Sequence, residues 1–224
     1  MQPMFDYHTH TLISDGDLIP AEAVRRAEMS GYKILGIADH SDLATLPVQI
    51  PIIVAAARAE NASANAMSVV PGTEITHVRT GQIAEAVRLA RELGARYVIV
   101  HGETLVEPVE PGTNRAAIEA GVDILAHPGL ISEDDVRLAA ERNVMLEISG
   151  RKGHSLSNGH IARLALKHNA QMIFGSDAHT VGDHPTRPFA EKILLAAGIP
   201  PATVQSIFTH SLAFGEKRGA AGAR

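Results

Sequence analysis

Seven short apolar runs of strand character recur along this chain, and their spacing is the feature that most restricts its fold. The runs end near His8, Ala38, Val70, Val100, Ala126, Ile148 and Phe174. They stand about 20 to 35 residues apart, the length of one strand and its following helix. Amphipathic stretches with apolar residues at helical spacing lie between them. The pattern predicts an α/β fold of seven βα units whose strands, joined by crossover connections, are parallel.

Half of the chain's histidines directly follow these predicted strands. They are His8, His10, His40, His101, His127 and His179. Residues two apart on a strand share a face, so His8 and His10 can bind one ion together. The carboxyl ends of parallel strands lie on one side of the fold, where α/β barrels and sheets bind their ligands. We therefore expect all six imidazoles to converge there.

Three carboxylates accompany the histidines. Asp15 lies in the turn after the first run, Glu74 follows the third, and Asp177 stands two residues before His179. A single acidic residue in such a place commonly caps a helix. Beside six imidazoles, these carboxylates form the nitrogen and oxygen donor set that divalent ions bind. Clustered carboxylates also repel one another without a cation. The sequence therefore predicts a metal centre.

Composition restricts the other classes of function. The 224 residues are 45% hydrophobic and predict a single domain over 1–224, with a flexible Gly/Ala-rich tail at 216–224. The absence of cysteine excludes disulfides, thiolate metal sites and cysteine nucleophiles. The start lacks signal-peptide features and no apolar run approaches ~20 residues, so we expect a cytoplasmic protein without membrane contact. A net charge of −5 and 4% aromatic residues argue against a nucleic-acid groove.

The motif order HTH, SDG, IADH, GTE, VHGE, AHPG, EIS and GSDAH resembles the polymerase and histidinol phosphatase (PHP) family of metallophosphoesterases, from Phe5 to about Phe214. The resemblance implies a distorted seven-stranded (β/α)7 barrel with two to three divalent ions, zinc, manganese or iron, at the strand C-terminal ends. It implies a first ion on His8, His10, Glu74 and Asp177, a second on Asp15, His40 and His179, and a third on Glu74, His101 and His127. Glu74 would then bridge two ions of a trinuclear site. Some members carry histidine in place of Asp15, which leaves the metal preference open.

The expected activity is hydrolysis of a phosphate ester by a metal-bridging hydroxide, with a small-molecule phosphomonoester of the histidinol-phosphatase type as substrate. Arg151 and Lys152, which follow the EIS motif, and Arg187, near the last helical stretch, are candidates for binding phosphate. His154 and His184 are candidates for protonating the leaving group. Their places in loops or helices do not predict metal ligands.

Three alternatives remain open at the level of sequence. A nuclease or phosphodiesterase of the same family is disfavoured by the acidic charge and the few stacking residues. An amidohydrolase-like C–N hydrolase would share the HxH motif, but the sequence shows no lysine at a strand end that could be carbamylated to bridge metals. A non-catalytic metal-binding regulatory domain would be expected to have lost ligands, whereas this chain keeps all nine.

Overall fold

The computed structural model describes residues 2–63 and 67–220. Its strands are Met4–Asp6 (β1), Tyr32–Ile37 (β2), His40–Ser41 (β3), Ser68–Ile75 (β4), Tyr97–His101 (β5), Ile124–Ala126 (β6), Met145–Ser149 (β7) and Met172–Gly175 (β8). Its α-helices are Pro20–Met29 (α1), Leu46–Ala62 (α2), Ile83–Glu92 (α3), Thr113–Glu119 (α4), Glu133–Arg142 (α5), Asn158–His168 (α6), Arg187–Ala196 (α7) and Pro201–Lys217 (α8). Short 3-10 helices occupy Thr80–Gln82, His154–Ser157 and Val181–Asp183.

Seven of these strands form a nearly closed parallel barrel. They pair in the order β1-β2-β4-β5-β6-β7-β8, and the two-residue β3 pairs with β4. The chain beyond β8 returns to the chain beyond β1, where Thr9 and Ala178 form a parallel bridge. The amide of His10 donates to the Ala178 carbonyl at 2.8 Å. The predicted seven-stranded (β/α)7 barrel is confirmed.

Strand β4 changes its partners midway and thereby positions the centre of the site. Its first half pairs with β2, up to Pro71, and its second half pairs with β3 and β5. Proline has no amide hydrogen, so a change of partner is easily accommodated there. In the second half, Glu74 is in register with His40 on one side and with Ile99 on the other. The register therefore brings one predicted carboxylate ligand beside a predicted imidazole ligand.

A buried tyrosine ring packs inside the barrel below these residues, against Gly36 and Gly72. Tyr97 is fully buried, and its hydroxyl donates to the Tyr7 carbonyl at 2.7 Å. A Cβ added at Gly36 would lie 2.2 Å from the Tyr97 hydroxyl oxygen, and one added at Gly72 would lie 2.2 Å from its ring. The two glycines therefore provide the space that the ring occupies.

The last helix covers the seam of the barrel. Helix α8 packs on β1 and β8, and the Tyr7 hydroxyl donates to the Ser211 carbonyl at 2.6 Å. Glu216 and Lys217 complete this helix. The flexible tail remains a prediction for 221–224, which lie outside the described residues. Within the described ranges, no helix is both long and apolar enough to cross a membrane.

Gly36→Ala should destabilise the fold by about 1–3 kcal/mol, because its methyl group would overlap the Tyr97 hydroxyl in a closely packed interior. Urea unfolding measures the change. Gly81→Ala is the control, since a Cβ there would meet nothing within 4 Å. Equal stability of the two variants would contradict the packing role of Gly36.

Candidate metal centre

The strand C-terminal ends surround a cavity of about 240 Å³. It is lined by Asp15, His40, Thr76, His77, His101, Glu107, Arg151, His154, Asp177 and His179. The other four predicted ligands, His8, His10, Glu74 and His127, are buried against these side chains. The structure thus brings all nine predicted ligands to one mouth of the barrel.

Glu74 lies at the centre of this arrangement and is fully buried. One carboxylate oxygen lies 3.3 Å from His8 Nε2 and 3.6 Å from His127 Nε2. The other lies 2.7 Å from His40 Nδ1 and 3.8 Å from His10 Nε2. Burial alone would raise the pKa of Glu74, but the nearby imidazoles of His8 and His40 outweigh it and hold the pKa well below its usual range. The carboxylate is therefore ionised and faces four imidazoles.

Asp15 and three imidazoles form a second group at the rim. The Asp15 carboxylate lies 3.2 Å from His179 Nε2 and 3.4 Å from His40 Nε2. His10, Asp15, His40 and His179 each offer one donor atom within 4.8 Å of the others. Burial raises the pKa of Asp15, but hydrogen bonds with His179 and His40 lower it more, so the pKa lies well below its usual range. This group can bind a divalent cation.

Asp177 joins the first pair of histidines. Its Oδ1 lies 3.3 Å from His10 Nε2 and 3.8 Å from His8 Nε2. Burial raises the pKa of Asp177 to about 7; the charge of His8 opposes this shift and that of Glu74 adds to it. A cation between these side chains would favour the ionised carboxylate and reverse the effect of burial.

Backbone strain is concentrated at the same place. His77, His127 and Asp177 have positive φ angles of 53°, 26° and 55°. Such angles are uncommon outside glycine and cost about 1–3 kcal/mol each, so the surrounding structure must impose them. The amide of Asp177, for example, donates to the His8 carbonyl at 2.8 Å. Strain of this kind is typical of functional sites.

Two further carboxylates orient the predicted ligands without facing the cavity. Glu147 lies 2.5 Å from His8 Nδ1, which leaves His8 Nε2 for Glu74 and Asp177. Asp39 accepts hydrogen bonds from the amides and hydroxyls of Thr11 and Ser14, at 2.7 to 3.2 Å. The loop that carries Asp15 is therefore fixed by the side chain that precedes His40.

Sequence reasoning missed Glu107 and considered His154 only as a candidate for protonating the leaving group. His154 is 3% exposed, and its Nε2 lies 3.4 Å from Glu107 and 3.6 Å from Asp177. Burial lowers its pKa to about 4, so the imidazole is neutral. Glu107 faces His101 at 3.0 Å, and this hydrogen bond lowers the pKa of Glu107 to about 2. Glu107 lies in a loop and His154 begins a 3-10 helix, each several positions beyond a strand end. The only available signal was that the segment follows a strand of the barrel.

The three candidates for phosphate binding are placed differently. Arg151 lines the cavity and donates to the Asp177 carbonyl at 3.0 Å, and its guanidinium lies 2.6 Å from His179 Nδ1. Lys152 is exposed and lines a neighbouring cavity of about 190 Å³. Arg187 does not reach the site: its guanidinium donates to the Pro3 carbonyl at 3.0 Å and lies 3.4 Å from the centre of the Phe208 ring. Pro3 precedes β1, so Arg187 lies toward the opposite end of the barrel.

Several side-chain nitrogen and oxygen atoms at this mouth are buried and, within the described part of the chain, have no hydrogen-bond partner. They are His8 Nε2, both ring nitrogens of His10, His127 Nδ1 and Glu74 Oε1. An unpartnered buried polar atom costs about 1–3 kcal/mol. Zinc, manganese and iron all accept imidazole nitrogen and carboxylate oxygen. The residues present therefore fit a divalent metal centre.

Two curated proteins are similar along most of the chain. The uncharacterized protein MJ1295 of Methanocaldococcus jannaschii is 38% identical over 207 residues, which cover 92% of this chain and 95% of that protein. A probable phosphatase of Clostridium botulinum is 26% identical over 227 residues, covering 89% of this chain and 88% of that protein. No family model matches the sequence.

Two solved structures share the fold at low sequence identity. A chain in the cryo-EM structure of archaeal ribonuclease P with mature tRNA superposes with a TM-score of 0.69 at 18% identity, covering 95% of this chain and 90% of that one. Histidinol phosphate phosphatase of Lactococcus lactis, in complex with zinc, L-histidinol and phosphate, gives 0.61 at 15% identity, covering 89% and 95%. At these identities the similarity shows the barrel fold alone.

Divalent ions should stabilise the protein, because binding would satisfy the buried donor atoms of the folded state. At free Zn²⁺ or Mn²⁺ about 100-fold above Kd, the gain is about 2.7 kcal/mol. For a chain of this size that raises the melting temperature by about 5–10 °C. Calorimetry of metal-loaded and EDTA-treated protein measures it. Identical melting temperatures with Zn²⁺, Mn²⁺, Fe²⁺ and EDTA would contradict a metal centre.

Proposed function

The chain belongs to one protein family with MJ1295 of Methanocaldococcus jannaschii, and we propose that it is a PHP-type metal-dependent phosphatase of small phosphomonoesters. The similarity to a probable phosphatase of Clostridium botulinum supports the reaction class. The observation that carries the proposal is the convergence of six imidazoles and three carboxylates around one small cavity, with an arginine at its wall.

We assign the ions to three sets of residues. His8, His10, Glu74 and Asp177 would hold the first, Asp15, His40 and His179 the second, and Glu74, His101 and His127 the third. The contacts of Glu74 with His8 and His127 through the same oxygen support its bridging position. When bound, such ions supply a water of lowered pKa and neutralise the charge that develops on the phosphoryl oxygens.

The chain's own residues orient this centre and bind the substrate. Glu147 fixes the ring of His8 so that Nε2 faces the cavity. Arg151 is anchored by the Asp177 carbonyl and one-third exposed, so its guanidinium can donate to phosphate oxygens beside the predicted metal ligands. A phosphomonoester is nearly dianionic at neutral pH, and its charge matches an arginine beside bound cations.

A substrate panel tests the reaction class. The metal-loaded protein is assayed with p-nitrophenyl phosphate, L-histidinol phosphate, bis-p-nitrophenyl phosphate, single-stranded RNA and a dipeptide. RNA is included because a chain of archaeal ribonuclease P shares the fold. We expect kcat/KM for the monoesters to exceed that for every other substrate by at least about ten-fold. Preferred cleavage of RNA or of the dipeptide, or no hydrolysis of any substrate, would overturn the proposed function.

Arg151→Ala should lower kcat/KM for phosphomonoesters by about ten- to a hundred-fold, because one charge-assisted hydrogen bond contributes about 1–3 kcal/mol. Lys152→Ala is the matched control: it removes the adjacent positive charge, whose side chain is exposed and lines only the neighbouring cavity. Its effect should stay below about three-fold. Steady-state kinetics at verified metal content measures both. Equal losses in the two variants would remove Arg151 from the phosphate site.

A further inference from the structure

We propose that Glu107 and His154 are further ligands of the third ion, which they hold together with Glu74, His101 and His127. These two residues extend the set of nine that follows from the strand-end motifs. The inference rests on the proposed function for the presence of ions at the barrel mouth. It adds a third imidazole and a second carboxylate to the set of Glu74, His101 and His127 assigned above, and nitrogen and oxygen donors of this kind suit Zn²⁺.

The separations of the donor atoms agree with such a site. Glu107 Oε2 lies 3.0 Å from His101 Nε2, and Glu107 Oε1 lies 3.4 Å from His154 Nε2. Four ligands placed tetrahedrally about 2.0–2.1 Å from an ion lie about 3.3 Å from one another. His101, His127 and His154 also each offer a ring nitrogen within 4.8 Å of the other two. The three imidazoles therefore form one group, and the two carboxylate oxygens of Glu107 lie next to two of them, His101 and His154.

The imidazoles are oriented for coordination before any ion binds. His101 Nδ1 lies 3.2 Å from the Gly102 carbonyl, which can only accept, so Nδ1 carries a proton and Nε2 is the nitrogen that faces Glu107. His154 Nδ1 bonds with the Thr104 hydroxyl at 2.6 Å, which directs its Nε2 into the cavity. Both rings are buried. In the metal-free chain a proton on His101 Nε2 joins it to the Glu107 carboxylate at 3.0 Å, and a bound cation would take the place of that proton.

Glu107 is better placed than Glu74 to be the carboxylate that faces His101. Glu74 lies among His8, His10, His40 and His127. Across the described ranges, no ion pair within 4 Å joins Glu74 to His101. Glu107 approaches His101 from the opposite, solvent side, with its side chain 37% exposed. The two carboxylates therefore lie on different sides of the proposed third ion.

The exposed His77 completes the surroundings of Glu107 without belonging to the proposed site. Its Nε2 lies 3.3 Å from Glu107 Oε2, and its side chain is 42% exposed. A solvent-exposed imidazole loses little when it leaves this contact, whereas the buried His154 has few other partners. We therefore expect that, when an ion binds, Glu107 stays next to His101 and His154 and its contact with His77 is lost.

Metal titration of variants tests the proposal. Apo-protein is titrated with Zn²⁺ by calorimetry, and ions per chain are counted by elemental analysis after desalting. Glu107→Gln and His154→Gln should each lose one ion per chain or weaken one binding step at least ten-fold, with the other steps unchanged. His77→Gln should leave all steps unchanged. Circular dichroism confirms that each variant is folded.

Glu110→Gln is the matched control for the carboxylate. It lies in the same loop, its side chain is 36% exposed against 37% for Glu107, and it removes the same charge. Its carboxylate accepts from the Thr80 amide at 3.0 Å, which the glutamine carbonyl can still do. We expect wild-type Zn²⁺ binding. A loss equal to that of Glu107→Gln would mean that loop charge, not coordination, is responsible, and would overturn the proposal.

Two other results would also overturn it. Wild-type stoichiometry and affinity in Glu107→Gln would exclude coordination by this residue, and because Glu107 is a surface side chain this variant decides even if His154→Gln does not fold. Full metal content in His154→Gln with a reduced kcat would assign His154 to the substrate instead. The titration does not depend on turnover, so a wild-type protein that binds ions without phosphatase activity refutes only the proposed function. A wild-type protein that binds no ion refutes both.

Discussion

The burial of several like-charged and polar groups at one mouth of the barrel is the constraint on which the rest of the structure depends. Glu74 and Glu147 are fully buried and Asp177 is nearly so. At least six imidazoles lie close to these three carboxylates. Ionised carboxylates this close repel one another, and removing them from water costs several kcal/mol for each unpaired charge. In the metal-free chain, imidazolium charges offset part of this repulsion and desolvation cost. Cations bound between the nitrogen and oxygen ligands would offset the rest. The fold is therefore organised around groups that need a ligand.

The barrel supplies the rigidity that holds these groups together. Closure between β8 and β1 fixes Asp177 against His8 and His10 through backbone hydrogen bonds. The change of partners along β4 sets Glu74 beside His40, and the Tyr97 ring closes the interior beneath them. Strained φ angles at His127 and Asp177 are held by the same framework. The free-energy cost of the strained and buried polar groups at the mouth is offset by the close packing of the barrel interior beneath them.

The sequence predicted the barrel and the inner ligands because both follow one rule, that a polar side chain after a buried parallel strand lies at the shared carboxyl edge. His101, the last residue of β5, obeys it directly, whereas Glu74 lies inside β4, which extends beyond the apolar run that ends near Val70. The sequence did not predict β3, because this strand has only two residues, begins with a half-buried histidine and contains no apolar run. Glu107 was missed, and His154 was considered only as a proton donor, because the path of the chain beyond the strand ends, not the strand periodicity, places them. Arg187 was expected near phosphate, but its contacts with Pro3 and Phe208 join distant parts of the chain that no local pattern reveals.

The central claim is that this mouth holds more than one divalent ion, with Glu74 between them. Diffraction from crystals grown with Zn²⁺ or Mn²⁺, recorded on both sides of the metal absorption edge, tests it most directly. The account predicts two or three anomalous peaks within the cavity, with neighbours that share a bridging ligand about 3.5–4 Å apart, and the Glu74 carboxylate in contact with two of them. No peak in the cavity, or a single ion that leaves Glu74 without contact, would contradict it.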